Sequence, residues 1–198
     1  AAGTVAGINY LLGNPFTKKE LIPFAMEGER LACGSAHADN VAPALLGGFT
    51  LVRDTDPLDI CALPTPLELV ATVIHPKIEV KTADARAILK KRVTLDKAIS
   101  QWGNVGALVS SLYEEDYDLL SRSLIDGIVE PTRAILIPHF NELKAACKEA
   151  GALGSGISGS GPSVFALSRG MSAANKVAQA MRSVLEETNI PFDIHVSP

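Results

Sequence analysis

The 198-residue sequence is poor in cysteine. It has only Cys33, Cys61 and Cys147, far apart and odd in number. That pattern suggests neither a disulfide framework nor a paired-cysteine zinc site, and it fits a reducing cytoplasm. Basic runs are nearly absent too. Lys90-Lys91-Arg92 stands alone, reads most simply as a solvated helix end, and the formal net charge is −4. This balance argues against a nucleic-acid or anionic-membrane partner. No apolar run reaches the roughly 18 residues of a membrane span, and the opening "AAGTVAGINYLLG" lacks the positive start of a signal peptide. Internal repeats and low-complexity linkers are also missing. What is present is a composition of 47% hydrophobic and 20% charged residues, enough for one large domain or two small ones with a real core.

Ala1 to Leu12 reads as the middle of a small-residue, buried helix with no capping residue before it. The expectation is therefore of a chain whose N-terminal part is missing. "GNPFT" then makes a turn into a second helix over Lys18 to Gly28. Further along, the pattern predicts a short helix over Asn40 to Leu46 and strands over Gly48 to Val52, Asp59 to Ala62 and Leu69 to His75. Thr82 and Thr94 are candidate N-caps, the second for a long helix through Leu112. Helices follow over Tyr117 to Leu124 and Pro138 to Ala150. Next come strands over Ala152 to Ile157 and Ser163 to Leu167, a helix over Ser172 to Thr188 and a last strand over Phe192 to Val196. The order predicts an α+β fold with helices on one face of an antiparallel sheet.

Two stretches carry chemistry. In "GSAHADNVAPALLGGF", His37, Asp39 and Asn40 place an imidazole, a carboxylate and an amide within four residues. Such a trio suits a small zwitterion, the carboxylate receiving an ammonium group and the others bonding a hydroxyl or carboxylate. The plainer alternative is that Asp39 or Asn40 caps the next helix. In "GALGSGISGSGPSVFAL", four glycines and three serines fall between Gly154 and Gly161. This is a hairpin loop or a loop that brings backbone close to a ligand. It is not a Walker-type phosphate loop, because no Gly-Lys-Ser/Thr follows and a strand comes next.

Together, "AHADNVAPALLGGF" and "GISGSGPSVFAL" resemble the homoserine kinase branch of the small-molecule kinase superfamily named for galactokinase, homoserine kinase, mevalonate kinase and phosphomevalonate kinase. "KTADARAIL" (81–89) and "EPTR" (130–133) match two further segments of that branch in order, so the resemblance runs along essentially the whole chain. It implies a ferredoxin-like C-terminal domain over 48–198, preceded by a remnant of the N-terminal domain with the substrate loop over 1–47. The family's glycine- and serine-rich ATP loop, which cradles phosphates at a helix N-terminus, would precede Ala1.

The resemblance further implies ATP-dependent phosphorylation of the L-homoserine side-chain hydroxyl in threonine biosynthesis. The 198 residues alone would be inactive. Carried over residue by residue, Glu29 would bind the Mg2+ that bridges the ATP phosphates. His37, Asp39, Asn40 and Thr82 would hold the amino acid, with Arg86 and Arg133 on its α-carboxylate. Gly154, Gly156, Ser158, Gly159, Ser160 and Gly161 would form the loop at the phosphate end. No catalytic base is assigned. A homodimer is compatible with the resemblance. Two other readings remain: a kinase for mevalonate or a sugar, and a non-catalytic ligand-binding module.

Overall fold

A computed structural model describes residues 1–198, apart from the side chains of Ala32, Cys33, Thr82 and Ala83. The chain forms two compact units, Ala1–Thr65 and Pro66–Pro198.

The first unit starts with α1 (Ala2–Leu11) and α2 (Leu21–Cys33). Asn9, buried near the end of α1, turns the chain between them. Its Nδ2 donates to the Phe16 carbonyl at 3.0 Å, and its Oδ1 accepts from the Phe16 amide at 3.1 Å. Thr17 and Glu20 then form a capping box. The Glu20 carboxylate accepts from the Thr17 amide at 2.8 Å, and the Thr17 hydroxyl accepts from the Glu20 amide at 3.3 Å. Lys18 to Glu20 are accordingly the turn that opens the helix, and the helix proper begins at Leu21. Gly28 does not end α2 as the sequence suggested. A Cβ there would lie 3.1 Å from the Ala1 side chain, so glycine lets α1 pack close. The stop is Gly34, in the left-handed conformation at φ 75°.

The helix α3 (Ala38–Leu46) starts two residues earlier than expected. Ala38, Val41, Ala42 and Leu45 are buried at i, i+3, i+4 and i+7, the last three in one core with Leu21, Ile22 and Ala25 of α2. The strands β1 (Phe49–Thr55) and β2 (Leu58–Leu63) form an antiparallel hairpin of their own. Ile60 joins the core of this unit, so the hairpin belongs with the helices before it. The compact units part after Thr65.

In the second unit, β3 (Leu69–Pro76) leads to α4 (Thr82–Ala87), α5 (Leu95–Glu114) and α6 (Tyr117–Ser123). The short α7 (Glu130–Arg133) runs into a 3-10 turn over Ala134–Leu136, an element the sequence did not announce. The rest is α8 (Phe140–Glu149), β4 (Gly154–Ile157), β5 (Val164–Arg169), α9 (Gly170–Glu186) and β6 (Phe192–Ser197). Four strands pair antiparallel in the order β4-β5-β3-β6. Strand, helices, two strands, helix and strand in that order make the ferredoxin-like arrangement.

Its core lies where α8 and α9 cover the sheet. Phe140, Leu143 and Cys147 of α8 meet Val177, Met181 and Leu185 of α9 over Ile74, Val164 and Ala166. Each of these helices presents a buried stripe at helical spacing. Truncating Leu143 or Leu185, both fully buried, would cost about 2–5 kcal/mol through lost contacts and the cavity left behind.

Candidate active site

In the first unit the four buried side chains of α3 fix its rotation, so Asp39 and Asn40 face solvent on the opposite side of its first turn. His37 is the N-cap residue. Its carbonyl accepts from the amides of Asn40 and Val41, both at 3.2 Å, and its side chain does not cap the helix. The capping role weighed for Asp39 and Asn40 is thus filled by neither. His37 Nδ1 lies 4.0 Å from Asp39 Oδ1. The imidazole is only 13% exposed and the carboxylate 74%. This puts a carboxylate and an amide at a helix start, beside a mostly covered imidazole.

Glu29, on α2, is half-buried and makes no hydrogen bond or ion pair with the described residues, while its neighbours Glu27 and Arg30 pair with each other. A spare carboxylate of this kind fits a magnesium ion, which keeps several waters and takes one or two carboxylates together with substrate phosphates. Among the described residues no group of three or more His, Cys, Asp or Glu side chains is placed to hold a metal by itself.

The second unit builds its site around Arg133, at the end of α7. Its Nε donates to the Ala85 carbonyl on α4 at 3.2 Å, and its Nη1 donates to the Gly159 carbonyl at 2.9 Å. One guanidinium therefore ties together three stretches far apart in the chain: the helix that carries Arg86, the EPTR segment and the glycine turn. Two donors are spent on backbone and the remaining edge of the fork is left for another group. Arg86 is exposed. Thr82 was expected to contribute a hydroxyl, but its side chain lies outside the described residues.

The six loop residues divide into two sets. Gly154 and Gly156 are in β4 and not in the turn. A Cβ on Gly154 would meet the Leu124 side chain at 2.7 Å, and one on Gly156 would meet Glu130 Oε2 at 3.1 Å and the Phe165 ring at 3.2 Å. These two glycines let flanking chains lie flush on the strand. Ser158, Gly159, Ser160 and Gly161 make the turn itself, closed by Gly161 N to Ser158 O at 3.0 Å and Ser158 N to Ser163 O at 2.9 Å. Gly159 and Gly161 take φ of 62° and 83°, a region that favours glycine.

Supporting residues that the sequence reading missed hold α7 in place. Asp126 accepts from the amides of Ile128 and Val129 at 2.8 Å and of Glu130 at 3.0 Å, which satisfies the start of the short helix. Gln101 of α5 bonds the same loop through the Gly127 amide and the Ile125 carbonyl. Glu130, 13% exposed, pairs with Lys144 of α8. The Asp-Gly turn ahead of EPTR was the one local signal for Asp126; the partners of Glu130 and Gln101 are distant in sequence. Glu130, Arg133, Gly159 and Phe165 border a cleft of about 330 Å³.

A ferredoxin-like unit follows a helical unit along the chain, and comparison with known proteins shows which family shares this order. The model of the GHMP kinases N terminal domain matches residues 1–48 and that of GHMP kinases C terminal matches 108–187. Between them they account for more than half of the chain, which belongs to the GHMP kinase family. It is 52% identical over 200 residues to a homoserine kinase of Chlorobium phaeobacteroides, covering all of this chain and 62% of that protein. Over 177 residues it is 39% identical to the homoserine kinase of Pyrococcus furiosus, covering 89% and 59%. The crystal structure of homoserine kinase from Cytophaga hutchinsonii superposes with a TM-score of 0.95 at 58% identity, covering 98% of this chain and 63% of that one. The L. major mevalonate kinase, at 16% identity and a TM-score of 0.73 over 96% of this chain and 61% of that one, shares the fold. The chain spans about three fifths of the length of these relatives. Among the described residues, no helix is long and apolar enough to cross a membrane.

Proposed function

We propose that the protein to which these residues belong transfers the γ-phosphoryl group of ATP to the side-chain hydroxyl of L-homoserine, giving O-phospho-L-homoserine for threonine biosynthesis in the cytoplasm. The observation that carries the reading is the double anchoring of Arg133. It joins three of the four stretches that resemble homoserine kinases, through backbone contacts at Ala85 and Gly159. Identity of 50–52% to several homoserine kinases along the full length of the chain supports it.

In this reading the Asp39 carboxylate receives the α-ammonium group, and His37 and Asn40 hydrogen-bond the same amino acid. Arg86 and the free edge of Arg133 hold the α-carboxylate in bidentate fashion, with Thr82 adding a hydroxyl bond. Glu29 ligates magnesium. When bound, ATP and magnesium supply the phosphoryl group and the neutralisation of its charge. The chain's own contribution is to position the acceptor, which is most of what phosphoryl transfer asks of a protein. The bond from phosphorus to the bridging oxygen breaks as the homoserine oxygen bonds phosphorus, ADP leaves with that oxygen, and the hydroxyl proton passes to solvent, with no base assigned among the residues. Ser158 to Gly161, held by Arg133, face the phosphate end, with Gly154 and Gly156 keeping β4 open to its neighbours. Residues 1–47 belong to the N-terminal domain of the family and 48–198 to its C-terminal domain, and a homodimer belongs to the same reading.

The test is an ADP-release assay of the full-length protein with ATP and magnesium on a panel of acceptors: L-homoserine, mevalonate, galactose and 4-hydroxybutyrate. The expected result is a kcat/KM for homoserine at least tenfold above any other. Equal or better turnover of mevalonate or galactose would refute the assignment.

A further inference from the structure

The basic stretch Lys90-Lys91-Arg92 is not a helix end. It lies in the loop that joins α4, ending at Ala87, to α5, starting at Leu95. Together with the first turn of α5 and the segment 127–132, this loop borders a cavity of about 230 Å³. The charged side chains that line it are Lys90, Arg92 and Lys97, all of them basic. In a chain with 22 acidic residues against 18 basic ones, a cavity lined by cations alone runs against the average. Elsewhere Arg30, Arg53, Lys77 and Arg169 each pair with a carboxylate. Lys90, Arg92 and Lys97 form no ion pair with the described residues. The acids nearest in sequence do not serve them. Asp126 spends its carboxylate on the amides of Ile128, Val129 and Glu130, and Asp96, in the first turn of α5, does not line the cavity. The remaining wall is mostly apolar, with Leu89, Val93, Ile128 and Pro131.

We propose that this cavity binds a small phosphate monoester, its phosphate on Lys90, Arg92 and Lys97 and its short carbon body against the apolar wall. Charge sets the head group. Three unpaired cations around one space repel one another, and a group with two negative charges relieves more of that repulsion than a carboxylate with one. Chemistry agrees, since a guanidinium fork and two ammonium groups together suit the several oxygens of a tetrahedral phosphate. Volume sets the body. A cavity of about 230 Å³ falls below the roughly 300–1,000 Å³ of pockets for drug-sized ligands, which argues against a whole nucleotide. The site is also distinct from the candidate active site. Val129 borders both this cavity and the cleft beside Arg133, but Arg86, Arg133 and Gly159 do not line it. The inference goes beyond the kinase reading and does not depend on the acceptor.

Isothermal titration calorimetry of phenyl phosphate into the full-length protein tests it, with a non-hydrolysable ATP analogue and magnesium present to keep the nucleotide site occupied. The wild type is expected to bind saturably, with a Kd that rises with salt because the cations are screened. Benzoate, with a similar body and a single charge, should bind at least tenfold more weakly. Arg92→Gln and Lys97→Gln should each raise the Kd for phenyl phosphate at least fivefold. Both positions are exposed, so circular dichroism and melting should stay as in the wild type. If one variant fails to fold, the other decides. Homoserine turnover is measured in parallel, and its absence would bear on the kinase reading alone. A wild type that does not bind phenyl phosphate, one that binds benzoate as tightly, or a Kd that either folded variant leaves within twofold would overturn the proposal.

Discussion

The two units solve the problem of presenting polar groups in opposite ways. At the start of α3, Asp39 and Asn40 stand in solvent, held only by the buried side of their own helix. Around Arg133, nearly every group is tied to something else: the guanidinium to Ala85 and Gly159, the turn to itself, and α7 to Asp126. The difference follows from how each element is made. A nine-residue helix with four buried anchors needs no help to orient its other face. A four-residue helix cannot hold itself, so α7 borrows order from α4, α5, α8 and the glycine turn. Damage at the first site should therefore alter chemistry alone, and damage at the second should spread into structure.

The largest effect expected is outright loss. A polypeptide of residues 1–198 contains no glycine- and serine-rich loop at a helix N-terminus, and should show no homoserine-dependent ADP release. Turnover above a no-enzyme control would count against the role given to that loop.

Next comes Arg133→Ala in the full-length protein. Loss of charge-assisted bonds should raise KM for homoserine about 10- to 150-fold, with little change in KM for ATP. Arg133→Lys should not rescue it, because one ammonium cannot hold two carbonyls and a carboxylate at once. Unlike any change at Asp39, both should also lower the melting temperature. An Arg133→Ala protein with unchanged melting would dissolve the contrast between the two sites.

A smaller effect separates the turn from its surroundings. Gly161→Ala combines a φ of 83° with a Cβ 2.8 Å from Ile137 Cδ1, and should cost about 1–3 kcal/mol in denaturant unfolding. A cost within a few tenths would mean that the turn is looser than its hydrogen bonds indicate.

The smallest concerns Cys147, where burial pushes the thiol up from its usual 9 to about 11. The folded state then holds this proton more tightly than the unfolded state. Its contribution is complete below pH 9 and is lost as pH rises from about 9 to 11. Cys147→Ala should flatten the decline of stability in that window, and a decline of the same slope in the variant would assign it elsewhere. In the folded protein at neutral pH, iodoacetamide should modify exposed Cys61 well before buried Cys147.

Much of this fold was legible because its elements are periodic. The stripe of Ala174, Val177, Met181 and Leu185 and the apolar run from Leu69 announce a helix and a central strand without any tertiary knowledge. Errors arose where local rules met packing. The second helix was expected to end at Gly28 but runs on to Cys33, with the missing Cβ of Gly28 leaving room for Ala1. The α7 segment was recognised as a motif and not as an element, since four residues carry no period. Single residues at the site were named from resemblance, which supplies types and order. That Arg133 would bond two main-chain carbonyls, or that Glu130 would meet Lys144, depends on contacts across the fold, about which neighbouring residues say nothing.

The amino-acid reading of Asp39 rests on its exposed carboxylate at a helix start beside His37, and one measurement tests it most directly. Steady-state kinetics of the wild-type and Asp39→Asn full-length proteins are compared on L-homoserine and 4-hydroxybutyrate, which differ by the amine. A carboxylate reserved for the ammonium group should give the wild type a preference for homoserine on the order of 30-fold in kcat/KM, and Asp39→Asn should shrink it. If kcat falls for both alcohols and the preference survives intact, Asp39 acts on the hydroxyl and the account is contradicted.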